Sequence, residues 1–133
     1  MSASGLLAVG MGAALGAWLR WAFALLWNPL FQPVPLGTLA ANLVGGLLIG
    51  ATWELLGRNA GWPPEVRLFL VTGFLGGLTT FSTFSAETVG LLERGDFAWA
   101  GALVALHVCG SLAATVAGIA IVRRIAHAGG VAV

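Results

Sequence analysis

Four long apolar runs, separated by short polar stretches, make up nearly the whole chain. Gly5 to Trp27 is apolar except for Arg20, and Asn28-Pro29, Pro33 and Pro35 mark the turn that follows. The run from Leu36 to Trp53 has no charge. It gives way to a stretch holding Glu54, Arg58, Asn59, Gly61, Pro63, Pro64, Glu65 and Arg67. Leu68 to Ala86 is again uncharged, and its pattern continues past Glu87 to Leu92. Glu93, Arg94, Gly95 and Asp96 form a short turn, and the last uncharged run extends from Phe97 to Val122. A helix needs about 20 apolar residues to cross a bilayer. The pattern therefore predicts four membrane-spanning helices, over residues 5–27, 36–54, 67–92 and 97–122, forming a single membrane domain. Trp27, Trp53, Trp62 and Trp99 lie near the expected ends, where an indole ring with one N–H donor is comfortable. Trp18 and Trp21 lie mid-run and are expected to be buried.

Composition strengthens this picture. Of 133 residues, 59% are hydrophobic and 8% charged, whereas a globular domain carries roughly 25% charged residues. Six basic and five acidic side chains cannot build a water-facing surface, which argues against a soluble enzyme and a disordered tail. A net charge of +1 gives no field to attract nucleic acid. Four spans leave no room for a soluble domain, and one short chain cannot enclose a wide cavity, so an oligomer is expected. Cys109 is alone and cannot form an intrachain disulfide. Met1 to Leu19 holds no positive charge, so the first run reads as part of the mature protein and not as a secretory signal.

Four spans put the N-terminus, the 54–67 stretch and the C-terminus on one side, with Arg58, Arg67, Arg123 and Arg124. Only Arg94 lies on the other side. Positive-inside counting places both termini in the cytoplasm. Gly12 with Gly16, and Gly46 with Gly50, have the four-residue spacing that lets membrane helices approach closely.

The third run carries the most chemistry. Gly76-Gly77 followed by Thr79-Thr80 is a poor helix interior. A helix broken there would free backbone N–H and C=O groups at membrane depth, which is tolerated only where protein covers them or water reaches them. Ion sites are commonly built at such breaks. The alternative is a continuous helix using Gly, Ser and Thr for close packing. The concentration of small, hydroxylated and aromatic residues favours the break.

Thr80, Ser82, Thr83 and Ser85 offer neutral hydroxyls. Phe81 and Phe84 share one helix face and offer ring edges, the positive part of the aromatic quadrupole. Asn42, midway along the second span, offers an amide. Neutral donors suit a small, strongly hydrated anion, because they replace its water shell without holding it too tightly to leave. Core packing is the competing reading of the two rings. His107, Ser111 and Thr115, four residues apart, form one polar stripe on the fourth span. The stripe reads either as interhelical hydrogen bonding or as one wall of an ion path. Arg20 and Glu87 are the charges clearly inside the spans. Each is either a pore-mouth charge or a side chain with a local partner, and Arg20 leans towards the path.

These residues resemble the fluoride channel family called Fluc or CrcB, in the same four-span order over most of the chain. The first span, Gly12-Ala13-Ala14-Leu15-Gly16-Ala17-Trp18-Leu19-Arg20-Trp21, is similar to the family pattern, with Ala13 in place of a Gly and Trp21 in place of a Tyr. The second matches at Gly37, Thr38, Asn42, Gly45 and Gly50, with Leu47 in place of a usual Phe. The third-span run from Gly73 to Phe84 matches throughout.

The resemblance implies an all-α membrane protein with four transmembrane helices per subunit and a third helix broken mid-span. It also implies an antiparallel, dual-topology homodimer with two pores, whereas arginine counting favours a single orientation. Fluoride passes passively, with high preference over chloride. Phe81 and Phe84 match the rings whose edges contact fluoride, and Asn42 matches the asparagine near the pore entrance. Ser111 and Thr115 match the fourth-span polar track, and Ser82, Thr83 and Arg20 join the expected pathway. Gly76 and Thr79 match positions whose carbonyls hold a structural, untransported sodium ion. The expected setting is the inner membrane of a prokaryote, with lipid, fluoride and a second copy as partners, and no nucleic acid or enzymatic activity. Two other classes compete. A small proton-coupled multidrug exporter needs a carboxylate in the first span, where this chain has Arg20. A non-transporting assembly subunit would not need the clustered hydroxyls and the Phe pair.

Overall fold

The computed structural model describes residues 2–128, and every described regular element is helical. Helix α1 (Ala3–Trp27) starts where the Ser2 hydroxyl accepts the Gly5 amide at 3.1 Å. After a 3₁₀ turn at Asn28–Leu30, α2 runs from Leu36 to Arg58. Its N-terminus is capped from across the turn, by Asn28 Oδ1 accepting the Gly37 and Thr38 amides at 2.8 and 3.1 Å. The chain then enters α3 (Pro64–Arg67), a wide-turn π helix (Leu68–Leu75) and the short α4 (Gly76–Leu78). Thr79 and Thr80 are extended, at φ −84°, ψ 154° and φ −149°, ψ 111°. Helix α5 (Phe81–Glu93) follows, the turn at Gly95 uses the left-handed φ of 79°, and α6 (Phe97–Ala128) completes the chain.

Four stretches are long and apolar enough to span a membrane: Ala3–Leu30, Leu36–Arg58, Pro64–Glu93 and Phe97–Ala128. Even the shortest, at 23 residues, covers about 35 Å at 1.5 Å per residue.

Close backbone approach holds the bundle together. A β-carbon on Gly16 would run into the Phe74 carbonyl, and one on Gly50 into the Thr115 carbonyl. Glycine therefore seats α1 on the π segment and α2 on α6, at a separation no larger residue permits. The buried apolar clusters are small: Val34, Phe84, Leu91, Ala100 and Leu103 in one, and Ala41, Leu75 and Leu78 in the other. Most large apolar side chains point outward, as suits a chain solvated by lipid. Trp18 and Trp21, expected in the interior, are each 64% exposed on the outer face of α1. Their mid-run position put them in the core, but glycines at 12 and 16 occupy the packed face and turn the indoles outward.

The start of α1, the C-terminal part of α6 and the connection between α2 and α3 share one end of the bundle. Glu54 Oε1 is 3.0 Å from Arg58, and Glu54 Oε2 accepts from Arg123 Nε at 3.0 Å, joining the last turns of α2 and α6. Ser4 donates to Glu65 at 2.9 Å, bringing the start of α1 to α3.

Candidate functional site

The extended pair Thr79–Thr80 organises the centre of the molecule. In a continuous helix the Thr80 N–H would point to the Gly76 carbonyl and the Thr83 N–H to the Thr79 carbonyl. Here the Thr80 N–H donates to Asn42 Oδ1 at 2.7 Å, and the Thr83 N–H donates to Thr80 Oγ1 at 3.1 Å. The two carbonyls are thus released from those donors. Two groups neutralise their neighbours. Asn42 Nδ2 donates to the Thr80 carbonyl at 3.0 Å, and Arg20 Nε donates to the Gly77 carbonyl at 3.0 Å. A guanidinium at the C-terminal end of α4 is also favoured by the helix dipole. The Thr79 hydroxyl donates to the Leu75 carbonyl at 2.8 Å.

Asn42 has a third bond, from Nδ2 to His107 Nδ1 at 3.0 Å. The imidazole stacks on Phe84, with ring centroids 4.6 Å apart and planes at 24°. Phe84 in turn meets Phe81 edge to face at 5.5 Å. The two phenylalanines differ sharply in setting: Phe84 is 7% exposed and Phe81 78%.

These groups share a cavity of about 530 Å³ between α2, the third span and α6, walled by Asn42, Phe81, Phe84, His107, Ser111 and Thr115. Five sequence-selected pathway residues (Asn42, Phe81, Phe84, Ser111 and Thr115) therefore line one space, and His107 lines it with them. The rest lie elsewhere. Arg20 and Thr83 line a second space of about 250 Å³, beside Asn28, Thr38 and Thr80. Ser82 is exposed and lies within 3.3 Å of Thr80 Oγ1.

Several hydroxyls are already engaged. Thr80 Oγ1 donates to Thr83 Oγ1 at 2.9 Å, Ser85 to the Phe81 carbonyl at 2.9 Å, and Thr115 to the Ser111 carbonyl at 2.9 Å. Among the described residues, two buried side-chain atoms have no partner: Glu87 Oε2 and His107 Nε2. Glu87 Oε1 accepts a 2.6 Å bond from Thr38, whose hydroxyl is 3.5 Å from Asn28 Nδ2. Thr38 gave no chemical signal of its own in the sequence. The cues were its match to the family's second-span pattern and its place at the start of an uncharged run. No group of three or more His, Cys, Asp or Glu side chains gathers among the described residues.

This arrangement puts neutral donors, ring edges and released carbonyls inside an apolar bundle. Residues 7–119 match the family described as "CrcB-like protein, Camphor Resistance (CrcB)".

The chain belongs to the CrcB-like family.

Curated relatives within reach of this CrcB-like chain carry a more specific name. One from Nitrosospira multiformis, named "Fluoride-specific ion channel FluC", is 61% identical over 122 residues, covering 92% of this chain and 95% of the relative. A protein of the same name from Cupriavidus necator is 55% identical over 126 residues, covering 95% and 100%. Another, from Pseudomonas putida, is 55% identical over 115 residues, covering 86% and 91%. The CrcB-like chain is a multi-pass membrane protein by its family and its four spanning helices.

Proposed function

We propose that this CrcB-like chain is a passive, fluoride-selective channel that releases cytoplasmic fluoride from a bacterial cell. The observation that carries the reading is the cavity in which the Phe81–Phe84 pair, Asn42–His107 and Ser111 meet beside the extended Thr79–Thr80 backbone. Its walls carry no formal charge. A fully charged site would hold a small anion too tightly to conduct, and a purely apolar one would never dehydrate it. High identity to proteins named for fluoride supports the choice of ion. Hydrogen fluoride crosses bilayers as a neutral acid and dissociates in a less acidic cytoplasm. The negative-inside potential then drives the trapped anion out through a passive pore without a pump. The relatives are bacterial, which supports the inner membrane as the setting.

The third span works in this reading as a broken helix, and the functional unit is an antiparallel, dual-topology homodimer. Gly76 is exposed in the single chain, and a β-carbon there would meet only the Val71 carbonyl, 3.8 Å away. Backbone open at mid-span is not stable against lipid. A second copy laid across Gly76, with Phe81 beside it, would cover both. The carbonyls of Gly76 and Thr79 are the ligands offered to a structural sodium ion. Their fit rests on the two diverted amides, which leave oxygens without their helical donors, and a hard cation takes oxygen ligands. Bound there, the ion would neutralise carbonyl dipoles. Arg20 and Asn42 do the same from within the chain, at Gly77 and Thr80.

Purified protein in liposomes, offered fluoride, chloride and a lipophilic cationic drug in parallel, tests the proposal. Fluoride efflux down its gradient, with neither chloride nor drug moving, is the expected result. Proton-coupled movement of the drug would replace the channel with an exporter, and movement of nothing would leave an assembly subunit.

A further inference from the structure

The extended backbone of Thr80 fixes more than its own position. Its N–H requires an acceptor and its C=O a donor, and Asn42 meets both, so the amide orientation is set: Oδ1 faces the N–H and Nδ2 faces the C=O. The second Nδ2 hydrogen goes to His107 Nδ1 at 3.0 Å. Both Asn42 donors are then spent. A primary amide nitrogen only donates, so Nδ1 must accept, and the neutral ring carries its proton on Nε2. That Nε2 has no partner and is sealed from the cavity as well as from solvent, on a residue only 4% exposed, so an ion meets it only once the groups over it part. A desolvated donor without an acceptor is costly, and such groups point to a role. Stacking on Phe84 fixes the ring plane, and Ser111 stands one turn further along α6 on the same cavity wall.

We infer that Asn42 serves permeation as a positioning residue: it selects the Nε2–H tautomer of His107, and that Nε2–H is the donor presented to fluoride. The inference rests on the channel reading above and deepens it. Asn42 does two jobs with one side chain. It holds the extended Thr80 in place, and it turns the imidazole so that a donor and not a lone pair meets the anion. The opposite tautomer would present an acceptor to the anion and repel it.

The test combines a spectrum with a flux series. The chain has two histidines, so His127→Gln leaves one, and ¹⁵N-histidine labelling reads its tautomer in detergent or lipid. The expected form at neutral pH is Nε2–H. Asn42→Asp replaces the donor with a carboxylate that demands one, so the proton should move to Nδ1. Fluoride flux should fall by about tenfold or more with it, the scale of one lost hydrogen bond to a charged group. His107→Asn keeps an acceptor for Asn42 and an amide donor for the ion, so it should lose less flux than a variant that donates nothing. His107→Phe keeps the stacked ring but donates nothing, and flux should again drop by about tenfold or more. A chain that moves fluoride with His107 in the Nδ1–H or doubly protonated form overturns the inference alone, as does full flux in His107→Phe. An unmodified chain that moves no fluoride overturns the channel reading beneath it. The tautomer spectrum of the His127→Gln chain needs neither transport nor a change at the site, so it remains readable if an Asn42 or His107 variant fails to fold.

Discussion

Replacing Phe81 or Phe84 with isoleucine is expected to cut fluoride flux by roughly 30- to 100-fold. Isoleucine fills space without a quadrupole, so the substitution removes the electropositive ring edge and keeps most of the apolar volume. Losing about 2–2.7 kcal/mol of stabilisation for a partly dehydrated anion, the scale of a hydrogen bond to a charged group, corresponds to that loss of rate. The two substitutions should differ in their side effects. Phe81 is 78% exposed in the single chain and its loss disturbs little of the fold, whereas Phe84 belongs to the cluster with Leu91 and Leu103 and stacks on His107. Phe84→Ile should therefore also lower stability, by about 1–1.5 kcal/mol, as shape changes in a packed core do. Flux into liposomes and size-exclusion profiles separate the two effects. Normal flux from the double variant would remove both rings from the mechanism.

Gly50→Val is expected to prevent the protein from assembling. The added β-carbon meets the Thr115 carbonyl, which is backbone and cannot swing away. Overpacking commonly costs about 1–3 kcal/mol and more where nothing can yield. The α2–α6 contact also sets the spacing between Asn42 and His107, so any surviving protein should conduct poorly. Gly57→Ala is the control: nothing lies within 4 Å of a β-carbon there. Removing an exposed helical glycine should be neutral, or stabilising by about 0.5–1 kcal/mol. Detergent-extracted yield and monodispersity read the outcome. A Gly50→Val protein that elutes and conducts normally would contradict the close packing described here.

The residue pattern made some features legible and hid others, for physical reasons. Four spans follow from uncharged runs long enough to cross a bilayer, and lipid leaves few other options for such runs. Gly12, Gly16, Gly46 and Gly50 marked packing faces, because small residues at helical spacing have one main use in lipid. The π turn over Leu68–Leu75 left no mark, since i→i+5 bonding changes the backbone without requiring particular side chains. Trp18 and Trp21 were misplaced because apolar periodicity is lost when both faces of a helix are apolar. At the site, Phe81, Phe84, Ser111 and Thr115 were visible as chemistry at helical spacing, and they line one cavity. The chain of contacts from Thr80 through Asn42 to His107 was not visible. It depends on the register of α2 against the third span and against α6, which sequence separation of 38 and 65 residues does not encode locally. The same applies to Arg20, whose partner is a carbonyl 57 residues away.

These placements divide the donors into those that build the site and those left to serve an ion. Thr115, Thr80 and Ser85 donate to the protein itself, and Asn42 spends both hydrogens. His107 Nε2, the Ser111 hydroxyl and the ring edges of Phe81 and Phe84 remain. All are neutral groups, and all lie on residues that border the same cavity. The ion is held by weak, fixed, electrically neutral groups inside hydrocarbon.

Crystals grown with and without fluoride, diffracting well enough to resolve single bound solutes, test that claim most directly. The account predicts a solute beside the Phe84 ring edge and within hydrogen-bond reach of His107 Nε2. It should appear with fluoride and be absent both without it and in Phe84→Ile. Unbroken apolar contact along the Phe81–Thr115 cavity in both crystals, from a protein that still conducts fluoride, would contradict it.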